Sequence, residues 1–323
     1  MIDSEHLDTI SLRTCPNVQI LVGRLLLIPN YHFFSRVKIV IENFENIPKD
    51  ETVIFALNHT DRYNYWPFQY KMWRQGKGRL PYTTTWVKGE YYSNVLLRKF
   101  FDWTNNIPVP SRGYLIREDF RKIAKEKISK MEYRVLRDYV SGKVTLQKLG
   151  NEITENIRKV IDYPRTWLSG IEIPYSDYVD LYYRQLMAKV AQINFQALFD
   201  RKLNVIIFPE GTRSQTLGTG KTGIAHLALK ANKKDVPGGC NGSDRVYTGN
   251  LPWAKSGTIV YRIGTPIDPL EIVGDIDRSF VPFSREAELQ MKDEFREFTQ
   301  FVMERINELL DDHHRSVAPV TVV

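Results

Sequence analysis

Cysteine is almost absent from this chain. Its two thiols, Cys15 and Cys240, are too few for a disulfide framework and lack the paired spacing of a zinc site, so a reducing compartment and no metal site are expected. Long apolar runs are missing as well. The strongest, Val18 to Ile28, is interrupted by Gln19, Gly23 and Arg24 and stopped by Pro29, short of the roughly 20 residues a membrane-spanning helix needs. It reads either as an amphipathic helix lying in a membrane interface, with Tyr31, His32, Phe33 and Phe34 following, or as a helix on a sheet. The N-terminus carries Asp3, Glu5 and Asp8 where a secretory signal would be basic, and no cleavable signal is expected. A phosphate-binding P-loop is also excluded. Gly218 to Thr222 ends like one, but Gln215 stands where its first glycine belongs, so the stretch reads as a turn into a helix near Thr222.

What the chain does have is a set of buried-strand signatures that end in polar turns. Val53 to Leu57 runs into Asn58-His59, and Val205 to Phe208 runs into Pro209-Glu210-Gly211-Thr212-Arg213-Ser214. β-branched and aromatic runs cut off by turn residues read as interior strands of an α/β sheet, and ligands collect at such strand ends. His59 can move a proton at neutral pH, and Arg213 can hold a phosphate or carboxylate with two parallel hydrogen bonds. Alone, His59 would read as a half-buried histidine at a strand end.

With both segments in view, the sequence resembles the glycerolipid acyltransferases of the lysophosphatidate acyltransferase type. Asn58-His59 and the aromatic residues after it resemble the family's histidine block. Trp86-Val87-Lys88-Gly89-Glu90, leading through Phe100-Phe101 to Ile107-Pro108-Val109-Pro110-Ser111-Arg112-Gly113, resembles the second, and Phe208 to Ser214 the third. A fourth runs from Lys221-Thr222-Gly223-Ile224-Ala225 to Val236-Pro237, and Val260 to Ile267 looks like the closing strand; the likeness covers roughly 36–112 and 200–270. The resemblance implies His59 as general base and Arg112 and Arg213 as the clamp on an acceptor phosphate. Glu210, Gly211, Thr212 and Lys88 would shape the acceptor pocket. It further implies a fatty acyl donor, acyl-CoA or acyl-carrier protein, used as co-substrate with no separate cofactor. The acceptor would be a lysophospholipid, lysophosphatidate first, and the enzyme would be cytoplasmic and peripheral to a membrane. The formal charge of +7 suits such anionic partners. No zinc-finger or helix-turn-helix pattern accompanies it, so nucleic acid is not expected. Another acceptor (glycerol 3-phosphate, an aminolipid or a glycolipid) and a non-catalytic lipid-binding relative stay open.

One position departs from the family. Its first block places Asp five residues after the histidine, and here that residue is Asn64. An amide oxygen can orient an imidazole but cannot neutralise it, and losing the carboxylate of a serine-protease triad costs about four orders of magnitude in rate. On this reading Asn64→Asp should keep or raise the rate. Asp61 is the other candidate partner of His59. It reads as the N-cap of the following helix, because residues two apart on a helix do not face each other.

The expected fold is α/β: a mixed, mostly parallel sheet flanked by helices, with a helical insertion. Residues 1–35 read as an N-terminal helical or interfacial segment and 36–323 as the α/β domain, interrupted at about 113–200. Within the insertion, Ile116 to Tyr139 and Ser176 to Phe199 have helical spacing and suggest a hairpin. Its alternating charges suit a solvated face more than a basic docking surface. Arg285 to Leu310 reads as a closing helix, and His226 as a packed or surface histidine.

Overall fold

The structure is a computed structural model and describes residues 2–150, 153–167 and 170–323. Seven strands, β1 (Val37–Glu42), β2 (Ile54–Leu57), β3 (Thr83–Lys88), β4 (Asn106–Val109), β5 (Asn204–Ile207), β6 (Asp235–Asn241) and β7 (Gly257–Ile263), form one sheet in the order β1-β7-β6-β2-β5-β3-β4. The pairs β1–β7, β6–β2, β2–β5 and β5–β3 are parallel, whereas β6 and β7 are antiparallel. The mixed, mostly parallel sheet expected from the sequence is thus present. β2 and β5 are buried along their whole length, as their unbroken apolar runs require of strands covered on both faces. Edge strand β1 alternates between buried and exposed residues, with Lys38 and Glu42 turned to water.

By density of internal packing the chain divides into two units. Unit 1 comprises Met1–Thr9, Val87–Arg98 and Pro108–Val190, and unit 2 comprises Ile10–Trp86, Lys99–Ile107 and Ala191–Val323. The core of unit 2 gathers Phe55 of β2, Phe68 of the helix Tyr65–Gly76 and Tyr261 of β7, with the Phe68 ring 5.1 and 5.2 Å from its two neighbours. The helix Lys292–Glu308 buries Phe295, Phe298, Val302, Met303 and Ile306, a spacing of three and four residues that puts them on one stripe. The expected helix Arg285–Leu310 is broken once, because Met291 leaves helical geometry between Arg285–Gln290 and Lys292–Glu308. His226 is packed, with its ring against Phe283 and Phe295 and its Nδ1 accepting from the Phe283 N–H. No described helix is long and apolar enough to cross a membrane.

Unit 1 contains most of the segment read as an insertion. The single helix expected over Ile116–Tyr139 is two, Arg112–Ala124 and Lys130–Val140. Lys125 turns left-handed at φ 60°, and Ser129 with Glu132 forms a reciprocal capping box that starts the second helix. Such a box satisfies two otherwise orphaned N–H groups, which makes a restart cheaper than continuation. Helices Leu146–Leu149 and Glu155–Asp162 follow, so the insertion is more divided than a hairpin. The long helix Tyr175–Phe195 continues through Asp200 as a wider π turn, close to the helix expected there.

Asp235 at the start of β6 is wholly buried, and among the described residues neither of its carboxylate oxygens has a hydrogen-bond partner. Burial raises its pKa well above the ordinary value. The folded state therefore holds this proton to higher pH than the unfolded chain does. Stability is lost as pH rises above about 4, where the unfolded side chain ionises first. Asp235→Val keeps the backbone bonds to Ile267 and removes the unpaired carboxyl. The variant should melt a few degrees higher than the parent at pH 8, with a gap that narrows towards pH 4, as scanning calorimetry across that range would show.

Candidate active site

Parallel pairing of β2 and β5, with Ala56 opposite Ile207, brings Asn58-His59 and the Pro209–Ser214 loop out at the same edge of the sheet. Asn58 holds the departure point. Its side-chain amide donates to the Cys240 carbonyl at 3.0 Å and accepts from the Cys240 N–H at 2.6 Å, extending the ladder to β6 by one side chain after β2 has ended. The His59 N–H then donates to Glu210 Oε1 at 2.7 Å, the Gly218 N–H donates to Glu210 Oε2 at 2.7 Å, and the Ser214 N–H donates to the His59 carbonyl at 2.9 Å. Glu210, expected as a pocket residue, is thus an internal strut that ties the histidine turn to Gly218, just beyond the loop. It is buried, which pushes its carboxyl up to about 7, against the pull of the two N–H donors.

The loop turns at Gly211, whose N–H donates to the Phe208 carbonyl at 2.9 Å and whose φ is +64°. A Cβ there would be strained by this φ and would lie 3.0 Å from Lys221 Nζ. The turn leaves Thr212 and Arg213 exposed at its tip. Arg213 has neither a hydrogen bond nor an ion pair to the described residues.

The His59 ring stacks on Phe208, centroids 4.3 Å apart and planes 19° off parallel, and its Nδ1 lies 3.3 Å from Asn64 Oδ1. Asn64 is wholly buried, its Nδ2 donates to the Asn58 carbonyl at 2.8 Å, and its own carbonyl accepts from the Tyr261 hydroxyl. The Asn58 carbonyl decides which way the amide faces, since only NH₂ can meet it. The oxygen must therefore face His59, which then carries its proton on Nδ1 and keeps Nε2 as the basic nitrogen.

Asp61 does not cap the helix, contrary to the sequence expectation. The helix starts later, at Tyr65. The Asp61 carboxylate instead closes its own turn, accepting from the Tyr63 N–H at 2.8 Å and the Thr60 hydroxyl at 3.1 Å. Asx side chains form such two-residue turns readily, competing with a cap. Burial raises the Asp61 carboxyl above its ordinary pKa despite these donors.

His59, Asn64, Asp61, Glu210, Gly211, Thr212 and Arg213 all belong to unit 2, while Lys88 and Arg112 belong to unit 1. Lys88 is exposed at the end of β3. Arg112 opens the helix Arg112–Ala124, where Asp180 Oδ1 accepts from its Nε at 3.0 Å and its Nη2 at 2.5 Å, and its guanidinium lies over Tyr183. The other Asp180 oxygen accepts from Arg184 at 2.7 Å. Burial pushes the Asp180 carboxyl up, but the bonds and charges of Arg184 and Arg112 outweigh it and hold the pKa below its ordinary value. Arg112 is therefore already paired, unlike Arg213.

A cleft in unit 2 is lined largely by apolar and aromatic residues, among them Gly23, Leu27, Tyr65, Trp66, Tyr70 and Trp73. Tyr65 and Trp66 directly follow Asn64, the residue that meets His59. The roles of Asn58 and Phe208 in seating the histidine were not read from the sequence. The available signal was an Asn at the last position of an apolar strand, where its amide can stand in for a backbone unit. Among the described residues no group of three or more His, Cys, Asp or Glu is placed to hold a metal ion.

Comparison with known proteins gives one family match. Residues 178–241 fit the model of a family described as Acyltransferase, a stretch that contains β5, the Pro209–Ser214 loop and β6 but does not reach His59. No curated protein matches the chain. Among solved structures, the chain is similar to the 1-acyl-sn-glycerophosphate (LPA) acyltransferase PlsC from Thermotoga maritima at 17% identity, covering 90% of this chain and 76% of that one, with a TM-score of 0.42. The loop that fixes the histidine turn thus lies inside the stretch that is similar to the Acyltransferase family.

Proposed function

We propose that this protein is an O-acyltransferase that moves a fatty acyl group from a CoA or carrier-protein thioester to a hydroxyl of a phosphorylated glycerol acceptor, lysophosphatidate first among them. The observation that carries the reading is the oriented imidazole. Asn64 holds Nδ1, and the Glu210 strut sets His59 beside the loop that presents Arg213. In the reaction His59 Nε2 takes the acceptor's hydroxyl proton as that oxygen attacks the thioester carbonyl. The tetrahedral intermediate then collapses, the C–S bond breaks, and the proton passes to the departing thiolate. Arg213 supplies a cation for the acceptor phosphate, and Arg112 would join it only by exchanging Asp180 for that phosphate. The aromatic cleft beside Asn64 has the apolar lining an acyl chain needs. The enzyme would work as a peripheral protein on the cytoplasmic face of a membrane.

Incubation with acyl-CoA or acyl-carrier protein and a panel of acceptors, followed by lipid mass spectrometry, tests this directly. Formation of phosphatidate from lysophosphatidate supports it; no acyl transfer to any glycerolipid would refute it. Arg213→Ala should lower kcat/KM for a phosphorylated acceptor by about 10- to 150-fold, the equivalent of one charge-assisted bond of about 1.5–3 kcal/mol, and leave the donor's KM nearly unchanged. Equal kcat/KM of parent and variant for the phosphorylated acceptor would remove Arg213 from this role.

A further inference from the structure

Two stretches without acidic residues meet on unit 2. From Thr9 to Ile41 there is no Asp or Glu, and from Arg245 to Ile267 there is none either. Each stretch exposes large apolar side chains. Phe33 and Phe34 are 73% and 79% exposed, Leu251 and Trp253 66% and 56%. Their backbones are clasped together. Buried Asn30 donates to the Pro252 carbonyl at 3.0 Å and accepts from the Ala254 N–H at 3.2 Å, and the Ser35 hydroxyl donates to the Ala254 carbonyl. The hydroxyls of Tyr31 and Tyr247 lie 2.6 Å apart. Phe34 and Trp253 are the chain neighbours of Ser35 and Ala254, and so flank one hydrogen bond. Arg36 and Lys255, the other chain neighbours of Ser35 and Ala254, are exposed.

Four large exposed apolar side chains held by such a clasp mark an interaction surface. The rim chooses the partner. Cations with no intervening acids suit an anionic bilayer, where Trp and Phe sit at the headgroup boundary while Lys and Arg meet phosphates. We propose that the loop Asn250–Ala254 is a second bilayer-inserting element, entering an anionic phospholipid surface beside Phe33 and Phe34. The inference rests on the peripheral-membrane reading and adds to it a site far along the chain from the N-terminal segment. It also connects the membrane to the histidine turn. The Asn250 carbonyl accepts from the Tyr63 hydroxyl at 2.5 Å and from Arg62 Nη1 at 3.4 Å, so insertion of the loop would seat the turn containing Asp61 at the lipid surface.

The test is flotation of the full chain with phosphatidylcholine vesicles, with and without phosphatidylglycerol. Parent protein should float with the anionic vesicles and much less with the neutral ones. The Leu251→Ser, Trp253→Ala double variant should partition about tenfold or more weakly, the scale of losing two interfacial side chains. Leu289→Ser, which removes an equally exposed leucine elsewhere, should change nothing. Melting temperatures for both variants separate lost binding from lost folding, and Trp253→Phe should restore most of the binding. If the parent does not float, the peripheral-membrane reading itself fails. If the parent floats and the double variant floats equally well, only the loop proposal is overturned. Concentration-dependent dimerisation lost in the double variant would identify a second copy as the occupant and overturn it too.

Discussion

Acyl transfer by the His59→Ala variant is expected to fall by about two to four orders of magnitude, the usual contribution of a positioned general base. The fold should hardly notice. The His59 ring lies partly exposed against Phe208, and the turn is held by its backbone, through the Glu210 bond to the His59 N–H and the Ser214 bond to the His59 carbonyl. Alanine keeps both of those bonds. The melting temperature should therefore move by no more than a few degrees while turnover collapses. Single-turnover measurement with a radiolabelled donor would check this, and turnover within a few-fold of the parent would take His59 out of the mechanism.

Two isosteric exchanges around the same histidine are expected to fail, for mirror-image reasons. Asn64→Asp places a second oxygen where Nδ2 now donates to the Asn58 carbonyl at 2.8 Å. Two acceptors then face each other in a wholly buried position, which costs about 1–3 kcal/mol or forces the new carboxyl to stay protonated. In either state the supposed gain of a charge partner for His59 is cancelled. This reverses the expectation from the sequence that the carboxylate would keep or raise the rate. Glu210→Gln does the opposite, setting an NH₂ group against one of the two backbone N–H donors, from His59 and Gly218, that the carboxylate accepts. Both variants should lose stability and activity together, with kcat reduced about tenfold or more as the imidazole drifts from its seat. Circular dichroism melts and kcat from the same preparations decide the point. An Asn64→Asp protein as stable as the parent and faster would show that the amide is not required to donate to Asn58.

The sheet and the meeting of His59 with the glutamate loop were legible because short apolar runs cut off by turn residues read as interior strands. Val53–Leu57 and Val205–Phe208 announced β2 and β5, and their parallel pairing put His59 beside the glutamate loop. What the sequence could not convey was the direction in which side chains turn. Glu210 and Thr212 look alike in a motif, yet one points into the protein and the other out. Asp61 carries the chemistry of a cap, but three further residues intervene before the helix begins. Arg112 reads as a phosphate ligand, but its motif gives no sign that Asp180, distant in sequence, pairs with it. The break at Lys125 was hidden for a different reason: the left-handed turn there falls on a lysine, whose type gives no warning of it.

The division into units also bears on how the protein can be cut or made in pieces. The chain passes from one unit to the other after Thr9, Trp86, Arg98, Ile107 and Val190. No single truncation separates the units. Removing everything past Ile107 would take the Pro209–Ser214 loop with it, and excising Pro108–Val190 would leave Val87–Arg98 without the stretch it folds against. A protease that nicks one crossing would leave the two units joined by four others, so cleavage could pass unnoticed in a sizing column and appear only on a denaturing gel. The same interleaving delays folding during synthesis, because the first nine residues must wait for Pro108 and beyond before unit 1 can close.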